Sequence, residues 1–134
     1  MGKVERCMPH VTTYDEKAGI IETKLSGTIK APEIIEIMNG NAALALEHNC
    51  YRWINDFSDA RYNISFMEVL NFHNQITKLA RSTGIDMHRI KRAIVVRQTD
   101  EKHRYAANVM TNRGQNLGVF ESIGEARAWI TREG

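Results

Sequence analysis

Cysteines and long apolar runs are both scarce in this chain, and each scarcity excludes a class of protein. Cys7 and Cys50 are the only cysteines among 134 residues, and they form no C-x-x-C pair. We therefore expect no disulfide framework and no zinc or redox motif. No apolar run approaches the ~20 residues that span a bilayer, and the first residues lack the apolar core of a signal peptide. These absences favour a cytoplasmic protein that has no membrane partner.

An excess of charge of one sign is also missing. The 18 Lys and Arg residues nearly balance the 16 Asp and Glu residues, for a net charge of +2. Such a balance gives no indication of a nucleic-acid partner. No two of the five histidines share a helix at the spacing of a metal site, and the common phosphate-binding, hydrolase and zinc-protease motifs are absent. We expect no enzyme activity, no catalytic residue, no metal and no cofactor.

Hydrophobic periodicity divides the chain into alternating strands and helices. The N-terminal segment reads as a hairpin, and Gly40 in the first helix predicts a bend or a close packing contact. Helices are expected to begin near Ala31, Ser65, Asp100 and Ser122, the second ending near Gly84 and the third at Gly114. The expected strands are His10–Asp15, Ile20–Gly27, Tyr51–Phe57, Ala93–Val96 and Leu117–Phe120.

The order β-β-α-β-α-β-α-β-α predicts an α/β fold. Alternation of strands and helices implies parallel pairing, so the expected architecture is a mixed sheet that opens with an antiparallel hairpin and carries helices packed on it. With 43% hydrophobic residues, a chain of this length supports one core. We expect a single domain over residues 9–134, preceded by a tail over residues 1–8.

A polar segment follows the expected central strand, where open parallel sheets place ligands. Its carboxylates allow acid–base chemistry or Mg²⁺ binding, and with His73 they allow a hydrolase or isomerase. The alternative is structural: Asp56 and Asp59 bond to backbone N–H groups, and Arg61 pairs with one of them. The candidate interaction or ligand loop comprises Asp56, Ser58, Asp59, Arg61, Tyr62 and Asn63.

Aromatic side chains near this loop suggest a second function, the binding of a small molecule such as a nucleotide or lipid. A core position is the other interpretation of each aromatic. The residues concerned are Tyr51, Trp53, Phe57, Tyr62, Phe66 and Phe72.

Ser65 begins a capping-box pattern that ends at Glu68. The pattern predicts that Ser65 caps the second helix. A hydroxyl at a helix N-terminus is also a suitable phosphoacceptor, because the free N–H groups and the positive end of the helix dipole stabilise an added phosphate.

Four local sequences stand out along the chain. They are Gly19-Ile20-Ile21 through Gly27, Trp53-Ile54-Asn55-Asp56-Phe57-Ser58-Asp59-Ala60, Lys91-Arg92-Ala93-Ile94-Val95-Val96, and Gly118-Val119-Phe120-Glu121 leading to Glu125-Ala126-Arg127-Ala128-Trp129-Ile130. Together with the order of elements, they resemble the STAS superfamily, and within it the group named SpoIIAA-like after stage II sporulation protein AA. The resemblance covers about residues 10–132.

This resemblance implies a regulatory module without catalytic residues, similar to anti-sigma factor antagonists, whose partner is a regulatory kinase or anti-sigma factor. In those antagonists a serine after an aspartate, at the start of the second helix, is phosphorylated to end binding. Ser65 is the serine at that place here, and Ile64 stands where the motif has aspartate. An exposed sheet edge beside the hairpin also allows a homodimer.

Overall fold

Five strands form one mixed sheet in the order β1-β2-β3-β4-β5. β1 pairs antiparallel with β2, and the remaining neighbours pair in parallel, as the sequence predicts. The computed structural model describes residues 10–62, 66–86, 89–97, 104, 108 and 116–132. The elements are β1 His10–Asp15, β2 Ile20–Ile29, α1 Ala31–His48, β3 Arg52–Tyr62, α2 Phe66–Thr83, β4 Lys91–Val95, β5 Asn116–Phe120 and α3 Ile123–Thr131.

A four-residue turn joins β1 to β2. Asp15 closes it twice: its carbonyl accepts the N–H of Gly19 at 2.8 Å, and its Oδ1 accepts the N–H of Ala18 at 3.1 Å. Gly19 has a φ of +68°, a conformation that costs glycine little and other residues more. The hairpin predicted from the sequence is therefore present.

α1 begins after Lys30, whose backbone N–H donates to the Glu33 carboxylate at 3.3 Å. The helix continues through Gly40, and nothing in the described part of the chain lies within 4 Å of the position that a Cβ would take there. Of the two features expected at Gly40, a bend or a close packing contact, the packing contact is therefore absent among the described residues. α1 ends at His48, and Asn49 follows in the left-handed conformation.

The sheet separates two buried regions. Trp53 and Ile54, adjacent on β3, contribute to different clusters because successive side chains of a strand point to opposite faces. On one face Trp53 packs with residues of α1, and on the other Ile54 packs with Ala126 and Ile130 of α3. Full burial of an aliphatic side chain contributes ~1.5–3 kcal/mol, so β3 is stabilised from both sides.

Two strands are longer than the sequence predicts. β2 reaches Ile29, and β3 reaches Tyr62 instead of ending at Phe57. The prediction of a loop from Ser58 to Tyr62 is therefore wrong. The end of β2 supplies a parallel partner, with Ser26 opposite Asp59 and Ile29 opposite Tyr62 after a shift in register near Lys24. Backbone pairing outweighs the low strand propensity of these polar residues.

Two sequence predictions concern residues that the structure mostly does not describe. The predicted tail, residues 1–8, lies outside the described residues. So does the predicted helix between Asp100 and Gly114, except for residues 104 and 108, which are helical.

Candidate functional site

Asp56 lies where the register between β3 and β2 shifts. The residue is buried, with 6% of its surface exposed. Its Oδ1 accepts two hydrogen bonds from Ser58, from the backbone N–H at 2.9 Å and from the hydroxyl at 2.6 Å. Bonds of a carboxylate to the residue two positions on are typical of Asx turns. The interpretation that Asp56 bonds to a backbone N–H group is therefore confirmed.

Lys24 of β2 links Asp56 to Asp59. Its Nζ lies 3.5 Å from Asp56 Oδ2 and 3.0 Å from Asp59 Oδ2. The Asp59 hydrogen bond and the charge of Asp56 hold the pKa of Lys24 above its ordinary value. Arg97, after β4, approaches Asp59 Oδ1 at 3.9 Å. Lys24 and Asp59 are each more than half exposed, so these pairs stabilise the fold little and instead form a charged outer surface.

The pairs differ from those expected from the sequence. Asp59 is paired with Lys24 and Arg97, whereas Arg61 lies exposed on β3 opposite Thr28. Lys24 was not among the predicted site residues. Register was the missing information: Lys24 stands directly opposite Asp56 once β2 and β3 pair in parallel.

Several predicted site residues lie outside the described part of the chain. These are Asn63 and Ser65, together with the side chains of Tyr62, Phe66 and His73. α2 begins at Phe66, directly after Ser65 in the sequence. Met67, in the first turn of α2, is 73% exposed.

The two carboxylates have little capacity for acid–base or metal chemistry. Asp56 is engaged by Ser58 and Lys24, and Asp59 by two cations. Across the described ranges, no three His, Cys, Asp or Glu side chains are grouped as a metal site would require. Both carboxylates are therefore engaged in contacts with neighbouring residues.

Two aromatic residues expected near a ligand are core residues instead. Trp53 is 2% exposed and Phe72 is 6% exposed, and each belongs to a hydrophobic cluster. Trp53 also donates its indole N–H to the carbonyl of Cys50 at 3.4 Å. Of the two interpretations of these aromatics, the core position is therefore the one observed for Trp53 and Phe72, because helices α1 and α2 cover this face of the sheet.

Comparison with solved structures identifies the architecture. An uncharacterized protein from Shewanella loihica with a SpoIIAA-like fold superposes with a TM-score of 0.56 at 15% identity, covering 96% of this chain and 99% of that one. This chain has a SpoIIAA-like fold. An anti-sigma factor antagonist from Mycobacterium paratuberculosis matches with a TM-score of 0.54 at 14% identity, over 92% of this chain and 95% of its own.

The SpoIIAA-like fold confirms the STAS resemblance drawn from the sequence at the level of architecture. In sequence comparisons, no family model and no curated protein matches this chain. In the part of the chain that the structure describes, no helix is both long and apolar enough to cross a membrane.

Proposed function

We propose that this protein is a non-catalytic regulatory module that acts by contact with another protein. The contact uses what we call the β3–α2 surface, which runs from the end of β3 into the first turn of α2. Its residues are Lys24, Asp56, Ser58, Asp59, Arg61, Tyr62, Asn63, Ser65 and Met67.

The observation that carries this proposal is an exposed apolar side chain on the helix that follows the charged strand in the sequence. Met67 is the most exposed large hydrophobic side chain of the described residues. Only residues 63–65 separate its helix from the charged end of β3. An apolar anchor next to polar groups is typical of protein interfaces, and methionine suits them because it adapts to different partners.

The fold supports the choice of partner. An anti-sigma factor antagonist has the same architecture over nearly the whole of this chain. We propose that the partner is likewise an anti-sigma factor or a regulatory kinase.

Site-specific photocross-linking tests the β3–α2 surface. A photoreactive residue at position 67 is expected to cross-link one protein partner in cells. The same residue at position 46 is the matched control, because Leu46 is also apolar and 50% exposed but lies near the other end of the domain, in the last turn of α1. Equal labelling from both positions, or none from position 67, would contradict the proposed contact.

Phosphorylation of Ser65 is proposed as the switch for this contact. A phosphate next to the first turn of α2 places about −2 charge beside the partner surface, and Ser65→Asp is expected to weaken binding about tenfold. Ser82→Asp is the control, since Ser82 is exposed in the last turns of the same helix. If Ser65→Asp binds the partner as tightly as Ser65→Ala, the proposed phosphorylation switch is wrong, but the proposed contact through the β3–α2 surface is not contradicted.

A further inference from the structure

A polar cavity lies at the end of the sheet opposite the β3–α2 surface. It has a volume of about 430 Å³ and opens at the amino-terminal ends of the parallel strands. Arg52, Lys91 and Asn116 begin β3, β4 and β5, and they are register partners across the sheet. Arg89, before β4, and Arg132, after α3, complete its basic lining. Segments distant in sequence therefore bring four cations to one cavity.

Among the described residues, no acidic side chain lines this cavity. The four cations contribute +4, whereas the whole chain carries +2, so the rest of the chain carries −2. Positive charge is thus concentrated here and not spread evenly. Like charges held together cost stability in the empty protein, which favours a role that an anion would complete.

The guanidinium groups are available to a ligand. Among the described residues, Arg52, Arg89 and Arg132 take part in no ion pair, whereas Arg97 and Arg127 do. The ring of Tyr51, a lining residue, lies 4.1 Å below the Arg89 guanidinium and restrains it.

Lys91 has a different function. Its ammonium donates to the carbonyls of Trp129 at 2.7 Å and Arg132 at 2.9 Å. It therefore fixes the end of α3, and with it the backbone of Arg132, at the rim of the cavity. The donors left for a ligand are the three guanidinium groups.

We propose that this cavity binds a small soluble polyanion that carries two or more phosphate groups. A guanidinium offers paired N–H donors that match two oxygens of one phosphate, so three of them suit several phosphate groups better than a single charge. The volume is within the range of small-molecule sites. The ligand binds about a strand length away from the β3–α2 surface, so it does not compete with the protein partner.

Calorimetric titration with inorganic tripolyphosphate tests the site. The triple variant Arg52→Gln, Arg89→Gln and Arg132→Gln is expected to bind at least about tenfold more weakly than wild type. The triple variant Lys30→Gln, Lys78→Gln and Arg81→Gln is the matched control, because it removes the same charge from exposed positions elsewhere. It is expected to retain the wild-type affinity within about twofold.

Three results would overturn the proposal. They are no binding to wild type, equal loss in both triple variants, and association with phosphatidylglycerol vesicles without binding of tripolyphosphate. If the Arg triple variant fails to fold by circular dichroism, the exposed single change Arg132→Gln replaces it. That change is expected to weaken binding about threefold, and an unchanged affinity also overturns the site.

Discussion

Three polar side chains form a hydrogen-bonded series from β1 through β2 to α1. The hydroxyls of Thr12 and Thr23 lie 2.8 Å apart, and Thr23 donates to Asn41 Oδ1 at 3.0 Å. Thr23 and Asn41 are fully buried. Because water is excluded there, each group depends on the other for its hydrogen bond.

Thr23→Val is expected to lower the free energy of unfolding by ~1–3 kcal/mol, since it leaves Asn41 Oδ1 buried without its donor. Adding Asn41→Leu removes that orphaned acceptor and is expected to recover part of the loss. Urea denaturation measures both, with exposed Thr13→Val as the control. Asn41→Leu alone completes the comparison, and a double variant whose loss of stability equals the sum of the losses in the two single variants would show that the hydrogen bond contributes nothing.

Arg127 of α3 ties that helix to the hairpin and gives the protein an acid-sensitive contact. It lies 2.7 Å from Glu22 Oε1 and 3.3 Å from Asp15 Oδ2. The N–H of Ala18 and, after it, Arg127 hold the pKa of Asp15 below the ordinary 3.8. Asp15 therefore contributes stability above pH 3.8 that is lost as the pH falls through its lower folded-state pKa.

Asp15→Asn is expected to lose less stability than wild type when the pH is lowered from about 6 to about 3, because it lacks a carboxylate that must be protonated. Urea midpoints across this range measure the difference. Glu16→Gln, exposed in the same turn, is expected to follow wild type. Parallel curves for Asp15→Asn and wild type would contradict the proposed linkage.

At the scale of elements, two glycines that both lack close neighbours differ in backbone conformation. Gly40 of α1 and Gly27 of β2 both face open space in the described part of the molecule. Gly27 has a φ of +73°, whereas Gly40 is helical. The sequence alone suggested a bend or a close packing contact at Gly40, because a mid-helix glycine without either only costs helix stability.

Gly40→Ala is expected to raise the free energy of unfolding by ~0.5–1 kcal/mol, since alanine fits the helix and restricts the unfolded chain. Gly27→Ala is the comparison variant, and it is expected to lower the free energy of unfolding by ~1–2 kcal/mol, because L residues are strained at positive φ. Thermal unfolding of both variants checks the pair. A destabilised Gly40→Ala would mean that the helix needs flexibility at this position.

Sequence reasoning succeeded for elements and failed for their length and register. The hairpin, α1, the central strand and the Ser122 cap, whose Oγ accepts the Glu125 N–H at 3.0 Å, follow from local patterns. The end of β3 does not, because residues 58–62 become a strand only where β2 offers a partner. Nor does the basic cavity, whose arginines are brought together only by the register of the sheet.

At the scale of the whole molecule, the two proposed sites lie at opposite ends of the same sheet. β3 runs from Arg52, at the basic cavity, to Tyr62, on the β3–α2 surface. Its length of about 33 Å, at about 3.3 Å per residue, is well beyond the range of direct coupling between side chains.

Met67→Asp is therefore expected to weaken partner binding while leaving tripolyphosphate affinity unchanged within about twofold. The Arg52, Arg89 and Arg132 triple variant is expected to show the reverse. Calorimetry measures anion binding, and co-purification with the partner that cross-linking identifies measures the protein contact. Loss of both functions in either variant would show that the ends communicate through the sheet.

The position of Lys91 gives the protein an internal optical reporter. Its ammonium lies 4.6 Å from the ring centre of Trp129, at the rim of the basic cavity. Indole emission responds to a nearby charge, and an anion held by the neighbouring guanidinium groups is expected to alter the field across the ring. Trp53, buried in the core, is an internal reference for the same spectrum. Occupancy of the cavity is therefore readable from the intrinsic fluorescence of the unlabelled chain.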